Sequence, residues 1–418
     1  MPFILTFYVI VPFGTLLTPS RVVPLVLLAW MVISARGEPF RRHLDVFLVV
    51  ITLSIVSVLA ALMIADSGSR PLLRFLNYAT LLSIFAFAAY GCRTPKGLTM
   101  AMWGLAICAG LHGAYALYQI VAFETGLPFR AIVRGLSGRF DVAQAYGLFR
   151  VNGLASEPKR LGYVLFAGAL ASIYLTKSVS PGLHRTALRT NAIISFALSF
   201  LTMSASYFAA VAVSIGGMLL MSSRLWRIVP VGVAVVGLAL FASPDLASRV
   251  TDLFADTVED RFEEVSAGLD AVRVYRQEFY AEDYAKAHPL SLVTGLGMGR
   301  YNNVLNEEYG EGVGLVGNML LPLNSQIFEI GFDLGLPGLL ILYGGSVALI
   351  LSLKTDRKLS FFLKFLVLCV VAQSVFVQSL YLGSFILGMA VAYANMPRGA
   401  WAPPDPMGRT VMPRKLTI

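Results

Sequence analysis

Charge is scarce in this 418-residue chain: Asp, Glu, Lys and Arg together make up 14% of it, against 57% hydrophobic residues. A soluble enzyme carries about a quarter charged residues, so that class is excluded, as are disordered and collagenous chains. Cysteine is scarcer still. Cys92, Cys108 and Cys369 lie in or at the ends of apolar runs, so no disulfide framework is expected. The four histidines, at 43, 112, 184 and 288, are too scattered for a zinc site, and no metal or other cofactor is expected.

Long apolar runs fill the space that charge leaves. Stretches long enough to cross a bilayer lie at 44–65, 71–91, 98–123, 161–176, 228–243, 325–353 and 359–378, and each predicts a helix. Three further regions read as paired spans bent at a polar point. They are 3–35 broken at Pro19-Ser20-Arg21, 190–222 broken at Ser204-Ala205-Ser206, and the end of the core near Gln378–Ser384, completed by 381–396. The expected fold is all-α, a polytopic bundle of about twelve transmembrane helices. The amino-terminal run, without a basic leader or small-residue cleavage site, reads as a retained span.

An even number of spans puts both ends on one side. With the ends inside, every short inner turn carries at least two basic residues, which makes both termini cytoplasmic. The organisation that follows is 1–123 amino-terminal spans, 124–160 a basic outer loop, 161–243 central spans, 244–324 a second outer loop with a surface helix, 325–396 carboxy-terminal spans, and 397–418 a proline-rich disordered cytoplasmic tail.

The two outer loops have opposite charge. Residues 124–160 carry six basic against three acidic side chains, net +3; residues 244–321 carry six basic against fourteen acidic, net −8. Arginines in a translocated loop run against the topological tendency and need another reason. The planar guanidinium fork matches phosphate oxygens, so a phosphorylated ligand at the outer face explains them; pairing with the acidic loop or with lipid headgroups is the plainer alternative. Within the acidic loop, Leu269–Ala287 reads as a surface helix. Arg273, Arg276, Gln277, Tyr280 and Tyr284 share one face, suited to diphosphate and sugar hydroxyls, while Leu269, Val272 and Phe279 form an apolar face expected to rest on the bundle. An amphipathic interfacial helix would show the same residues for no catalytic reason. The glycines of Gly295-Leu296-Gly297-Met298-Gly299 read as a tight turn rather than a nucleotide loop.

The stretch Arg150-Val151-Asn152-Gly153-Leu154-Ala155-Ser156-Glu157-Pro158, running directly into a span, resembles the signature of the bacterial O-antigen polymerase and ligase family, which includes Wzy-type polysaccharide polymerases. Arg273 with its helix, His288-Pro289-Leu290 and the glycine turn resemble that family's outer loop, and Asn324-Ser325 with Glu329, Gly331 and Gly335-Leu336-Pro337-Gly338 resemble its re-entry into the membrane. The resemblance covers roughly residues 145–345. It departs at Leu323, where ligases usually place a histidine beside the asparagine, and at Ser204-Ala205-Ser206, where an arginine is missing. The first departure favours polymerase over ligase.

The resemblance implies a GT-C-like glycosyltransferase of the bacterial inner membrane, with a large periplasmic loop and a periplasm-facing site. Its donor and acceptor would be undecaprenyl-diphosphate-linked glycans, polymerised into O-antigen, capsule or exopolysaccharide. A chain-length regulator and a flippase are possible partners besides the lipid bilayer, and no nucleic acid is expected. Cleaving an anomeric bond to diphosphate develops negative charge on the leaving oxygens, which fixed cations stabilise. Arg150 and Arg273 are the candidates, supported by Arg160 and Arg276. The acceptor hydroxyl must lose a proton, for which Glu157 is the first candidate base and His288 the second. Gln277, Tyr280, Tyr284, Asn324 and Glu329 complete the substrate-binding set. Each has a structural alternative: Glu157-Pro158 is a common helix start, His288 before proline ends a helix, Asn324 and Glu329 serve as caps of a span, and Asp333 one turn below pairs with them. His112 in mid-span reads as polar glue between helices.

The alternatives to a polymerase are a ligase that transfers finished glycan to lipid A core or protein, a lipid-linked sugar transporter or flippase, and a structural membrane subunit. Transport calls for ionisable groups at mid-membrane and interrupted helices, and neither is clear in the sequence.

Overall fold

A computed structural model describes residues 19–34, 54–59, 70–128, 144–145, 148–149, 151–155, 158–202, 204–221, 277–309, 323, 325–353, 358–375 and 381–397. The spans expected at 3–18 and 228–243, most of 44–65 and the proline-rich tail lie outside the described residues. The secondary structure of the described residues is helical apart from a short antiparallel pair, β1 (Gln144–Ala145) with β2 (Leu148–Phe149), inside the basic loop.

The helices are α1 (Pro19–Ser34), α2 (Arg70–Gly91), α3 (Pro95–Thr125), α4 (Pro158–Leu175), α5 (Leu183–Phe200) and α6 (Ala205–Met221), then α7 (Gln277–Ala287), α8 (Leu290–Thr294) and α9 (Tyr301–Tyr309). After these come α10 (Gln326–Leu339), a π-helical turn at Leu340–Gly344, α11 (Gly345–Ser352), α12 (Lys358–Ser374) and α13 (Tyr381–Ala394). Three are long and apolar enough to cross a membrane: Pro71–Gly91, Pro95–Thr125 and the run Gln326–Ser352. Ser206–Met221, Leu359–Ser374 and Tyr381–Ala394 are apolar but shorter.

α3 shows why such a run folds this way. Thr94 accepts a hydrogen bond from the Gly97 N–H at 3.1 Å, Pro95 takes the first helical position, and Gly126 ends the helix with φ +72°. One face, including Met102, Leu105, Ala109, His112, Ala116 and Gln119, is buried. Met100, Ile107, Leu111, Leu117 and Val121 lie exposed elsewhere on it. A helix apolar all round belongs in lipid, with its small and polar residues turned to its neighbours.

The break expected at Ser204-Ala205-Ser206 is present, since α5 ends at Phe200 and α6 begins at Ala205. Ser204 Oγ accepts from the Tyr207 N–H at 3.4 Å, and the Tyr207 hydroxyl returns to Ser199 Oγ at 2.9 Å. The span expected at 325–353 is present as the run Gln326–Ser352 and carries a kink at Gly335, where φ is +67° and ψ −162°. Pro337 lacks the N–H that would bond Asp333 O in a continuous helix, and Ser57 Oγ donates to that carbonyl instead at 2.5 Å. Phe332 O, one residue earlier, accepts from the Leu296 N–H at 2.6 Å.

One core cluster gathers the ends of α2, α4, α11 and α13 with the starts of α3, α5 and α12, through residues such as Ala88, Leu98, Leu175, Leu188, Leu353, Leu363 and Met389. The opposite helix ends therefore converge on the other side of the bundle. That side holds the start of α2, the end of α3, the starts of α4, α10 and α13, and the short helices α7 to α9.

Candidate functional site

At that second side the loop Val151–Ala155 is drawn into the bundle. Val151, Asn152, Gly153 and Ala155 are all buried. Buried backbone needs partners, and Gln119 near the end of α3 supplies them. Its Nε2 donates to Asn152 Oδ1 at 2.8 Å, and its Oε1 accepts from the Gly153 N–H at 2.8 Å. Gly153 has φ +55°, and a Cβ there would stand 2.8 Å from Leu161 Cδ1 and 3.1 Å from His112 O, so only glycine fits. Arg150 and Glu157 flank this anchored segment but lie outside the described residues. Arg160, in the first turn of α4, is half-buried, and its Nε is buried with no hydrogen-bond partner among the described residues. A cation there opposes the helix dipole, so its position is not explained by helix stability.

The densest polar cluster lies between α2 and α10. Arg74 forms an ion pair with Glu329 and donates to the Tyr301 hydroxyl, while its guanidinium carbon stands 5.2 Å from the Tyr301 ring centroid. One turn further along both helices, the Tyr78 hydroxyl donates to Asp333 Oδ2 at 3.2 Å and the Gly299 N–H to Asp333 Oδ1 at 2.8 Å. The matching order along α2 and α10 makes them parallel, and Tyr381 at the start of α13 donates to Asn77 Oδ1 at 2.7 Å, so all three begin on one side. Glu329 side chain is 1% exposed and Arg74 14%. A carboxylate buried that deeply persists only with a charge partner.

Asp333 also joins this cluster to the glycine turn. Gly295, Gly297 and Gly299 all have positive φ, at +77°, +97° and +72°, which gives the tight turn expected of them. The turn is inserted rather than superficial: Met298 is fully buried against Tyr78 and Ile330. Its N–H donates to Ser57 O at 3.3 Å. The interruption in α10 makes room for it, because a Cβ on Gly335 would lie 2.5 Å from Val293 O and 2.8 Å from the Thr294 carbonyl carbon.

Of the surface helix expected at 269–287, the described part is Gln277–Ala287. Arg273, Arg276 and the side chain of Gln277 lie outside the description. Leu269, Val272 and the side chain of Phe279 also lie outside it; among the described residues the tyrosine face packs, with Tyr280 buried and Tyr284 half-buried in a cluster with Tyr301, Leu305, Leu323 and Phe332. Burial first, then the Glu308 carboxylate, raises the Tyr284 phenol above its usual value, so it remains a neutral hydroxyl. His288 ends the helix, its N–H donating to Tyr284 O at 2.7 Å. Its imidazole is half exposed, 3.9 Å from Glu308, with its ring tilted against that of Tyr284 at 4.6 Å between centroids.

The structure thus brings Glu329, Tyr280 and Tyr284 together through Tyr301 and Phe332, and leaves His288 at the rim. Asn324 lies outside the described residues; Ser325 occupies the cap position of α10 without a side-chain capping bond. Arg74 is not among the residues that the sequence singles out. Its signal was an arginine one turn before Tyr78 at the start of an apolar span. Among the described residues no group of three or more His, Cys, Asp or Glu is arranged to hold a metal, and the three cysteines are buried thiols.

Residues 190–343 match the family model described as O-antigen ligase. The match includes the glycine turn, Glu329, Asp333 and the interruption at Gly335, and excludes Arg74 and the anchored loop. No curated protein matches the chain.

Proposed function

Membership of the O-antigen ligase/polymerase family, supported by the match over residues 190–343, is the premise from which we propose that this membrane protein is a metal-independent glycosyltransferase working at the periplasmic face of the inner membrane. It moves a glycan from undecaprenyl diphosphate to an acceptor hydroxyl. The acceptor oxygen attacks the anomeric carbon, the bond from that carbon to the diphosphate oxygen breaks, and the electron pair leaves with the lipid diphosphate. The acceptor proton passes to a base, Glu157 first and His288 second. Arg150 and Arg273 neutralise the leaving oxygens, with Arg160 and Arg276 in support. Losing one such donor costs about 3 kcal/mol of transition-state stabilisation.

The observation that carries this reading is Arg160: a buried Nε without a hydrogen-bond partner among the described residues, in a helix turn whose dipole repels cations, calls for an anion. Its neighbours in sequence support it, since the anchored loop 151–155 packs through Val151 and Ala155 against Leu161 and Leu165 of α4.

Polymerisation of repeat units is the preferred activity, on the strength of Leu323 where ligases usually have histidine. The family model's own description favours a ligase as the second reading. Purified protein in detergent is expected to elongate a lipid-diphosphate oligosaccharide without nucleotide or divalent metal, and Arg150→Lys and Arg273→Lys to abolish it at normal expression. Full activity in both variants would remove those roles. A deletion strain separates the readings: single repeat units on surface lipid mean a missing polymerase, whereas glycan stranded on carrier lipid means a missing ligase.

A further inference from the structure

The first turn of α10 buries an amide oxygen that nothing among the described residues satisfies. Gln326 is 1% exposed, and its Oε1 has no hydrogen-bond partner among the described residues. A buried acceptor left unpaired is costly and rare, and the apolar side chains abundant in this span would avoid the penalty. Gln326, Glu329 and Asp333 fall at i, i+3 and i+7, on one face of the helix. Asp333 on that face is engaged by Tyr78 and Gly299, and Glu329 by Arg74.

The chemistry of this corner suits hydroxyl groups rather than phosphate. Its uncommitted atom is an acceptor, the adjacent Glu329 carboxylate is anionic, and the guanidinium of Arg74 is already engaged by Glu329 and Tyr301. Tyr301, Phe332 and Phe328 stack near-parallel, with centroids 6.3 and 6.1 Å apart and planes within 27° and 24°, but Tyr301 and Phe332 are fully buried, so this stack is packing and offers no open ring face. A fixed buried acceptor beside a carboxylate that an arginine holds in place is the polar furnishing of a site for a ring hydroxyl.

We propose that the first turn of α10 is a sugar-binding subsite in which Gln326 Oε1 accepts a hydrogen bond from a ring hydroxyl of the glycan, with Glu329 as the neighbouring acceptor. The inference rests on the glycosyl-transfer reading and adds to it a specificity-determining residue outside the arginine set. The hydroxyl belongs to the donor or to the acceptor glycan, and kinetics separate the two.

The test uses the full-length protein in detergent with the lipid-linked repeat unit and its monodeoxy analogues. Gln326→Leu is expected to raise the KM of one glycan substrate roughly three- to tenfold, the effect of one net hydrogen bond, while kcat stays within about twofold and the melting temperature does not fall. A rise confined to the donor places the hydroxyl on the donor, and one confined to the acceptor places it there. One monodeoxy analogue should show the same KM rise with the wild-type protein and no further rise with Gln326→Leu. Unchanged KM for both substrates, or an equal loss for both with a lowered melting temperature, overturns the subsite, the orphan oxygen then holding water or serving the fold alone. Absence of any transfer by the wild-type protein defeats the functional reading itself, so the two failures are distinguishable.

Discussion

At the scale of single residues, Arg74 and Glu329 are bound to each other unequally. Glu329 is sealed at 1% exposure, whereas Arg74 reaches solvent at 14%. Arg74→Ala strands a buried carboxylate and is expected to destabilise the protein by about 3–5 kcal/mol. Glu329→Gln leaves a cation that can still find water, and about 2 kcal/mol is expected. Replacing both with methionine should recover most of the loss, because the desolvation cost disappears with the charges. Thermal melting in detergent checks this, and a double variant no better than Arg74→Ala would show the pair is more than an internal salt bridge. Gln119 poses a parallel case with neutral groups. Gln119→Leu removes the partner of the Gly153 N–H and of Asn152 Oδ1 together, so a loss of about 2–4 kcal/mol is expected, at about 1–3 kcal/mol for each buried group stranded. Transfer activity should fall further than stability does, since the loop that bears Arg150 and Glu157 is released. A variant that melts early yet transfers normally would detach the loop's anchoring from catalysis.

Among the elements, the interruption of α10 decides how the second outer loop meets the membrane. Gly335→Ala puts a Cβ against the backbone of Val293 and Thr294, neither of which can rotate aside, so α8 must move off α10. The bonds from Leu296 N–H to Phe332 O and from Gly299 N–H to Asp333 depend on that contact. A loss of about 3 kcal/mol is expected from strain and lost contacts together. Protease should gain access to 288–299. Pro337→Ala is the control: its side chain is exposed and the carbonyl it would bond already has Ser57, so under about 1 kcal/mol is expected. Equal sensitivity of the two variants would mean that the proline, not the close approach at Gly335, holds the break. Hydropathy made the spans legible, because lipid demands runs of apolar residues whatever their partners. The interruption escaped notice for the same reason: Gly335-Leu336-Pro337-Gly338 sits in an apolar run whose hydropathy is that of an unbroken helix. Arg74 escaped because its meaning lies in tertiary pairing. The neighbouring contact, Tyr78 with Asp333, joins residues 255 positions apart, and no local pattern encodes that.

On the scale of the whole molecule, the core cluster fixes which helix ends lie together. Helices packed through the ends of α2, α4, α11 and α13 and the starts of α3, α5 and α12 must alternate in direction, so the chain beyond Gly126 and the chain between α4 and α5 emerge on opposite faces. On the proposed topology the second connection is cytoplasmic, because Lys177, Arg185 and Arg189 flank it and positive residues tend to stay inside. The native thiols make this measurable without background, since Cys92, Cys108 and Cys369 are all 5% exposed or less. A cysteine introduced at exposed Glu124 is expected to react with a membrane-impermeant maleimide on intact spheroplasts, and one at exposed Ser180 only after lysis. Labelling of both from one side would break the alternation, and with it the convergence of Arg74, the anchored loop and the glycine turn at one mouth. The reversed pattern would keep the mouth but turn it to the cytosol, where a periplasmic transferase has no substrate.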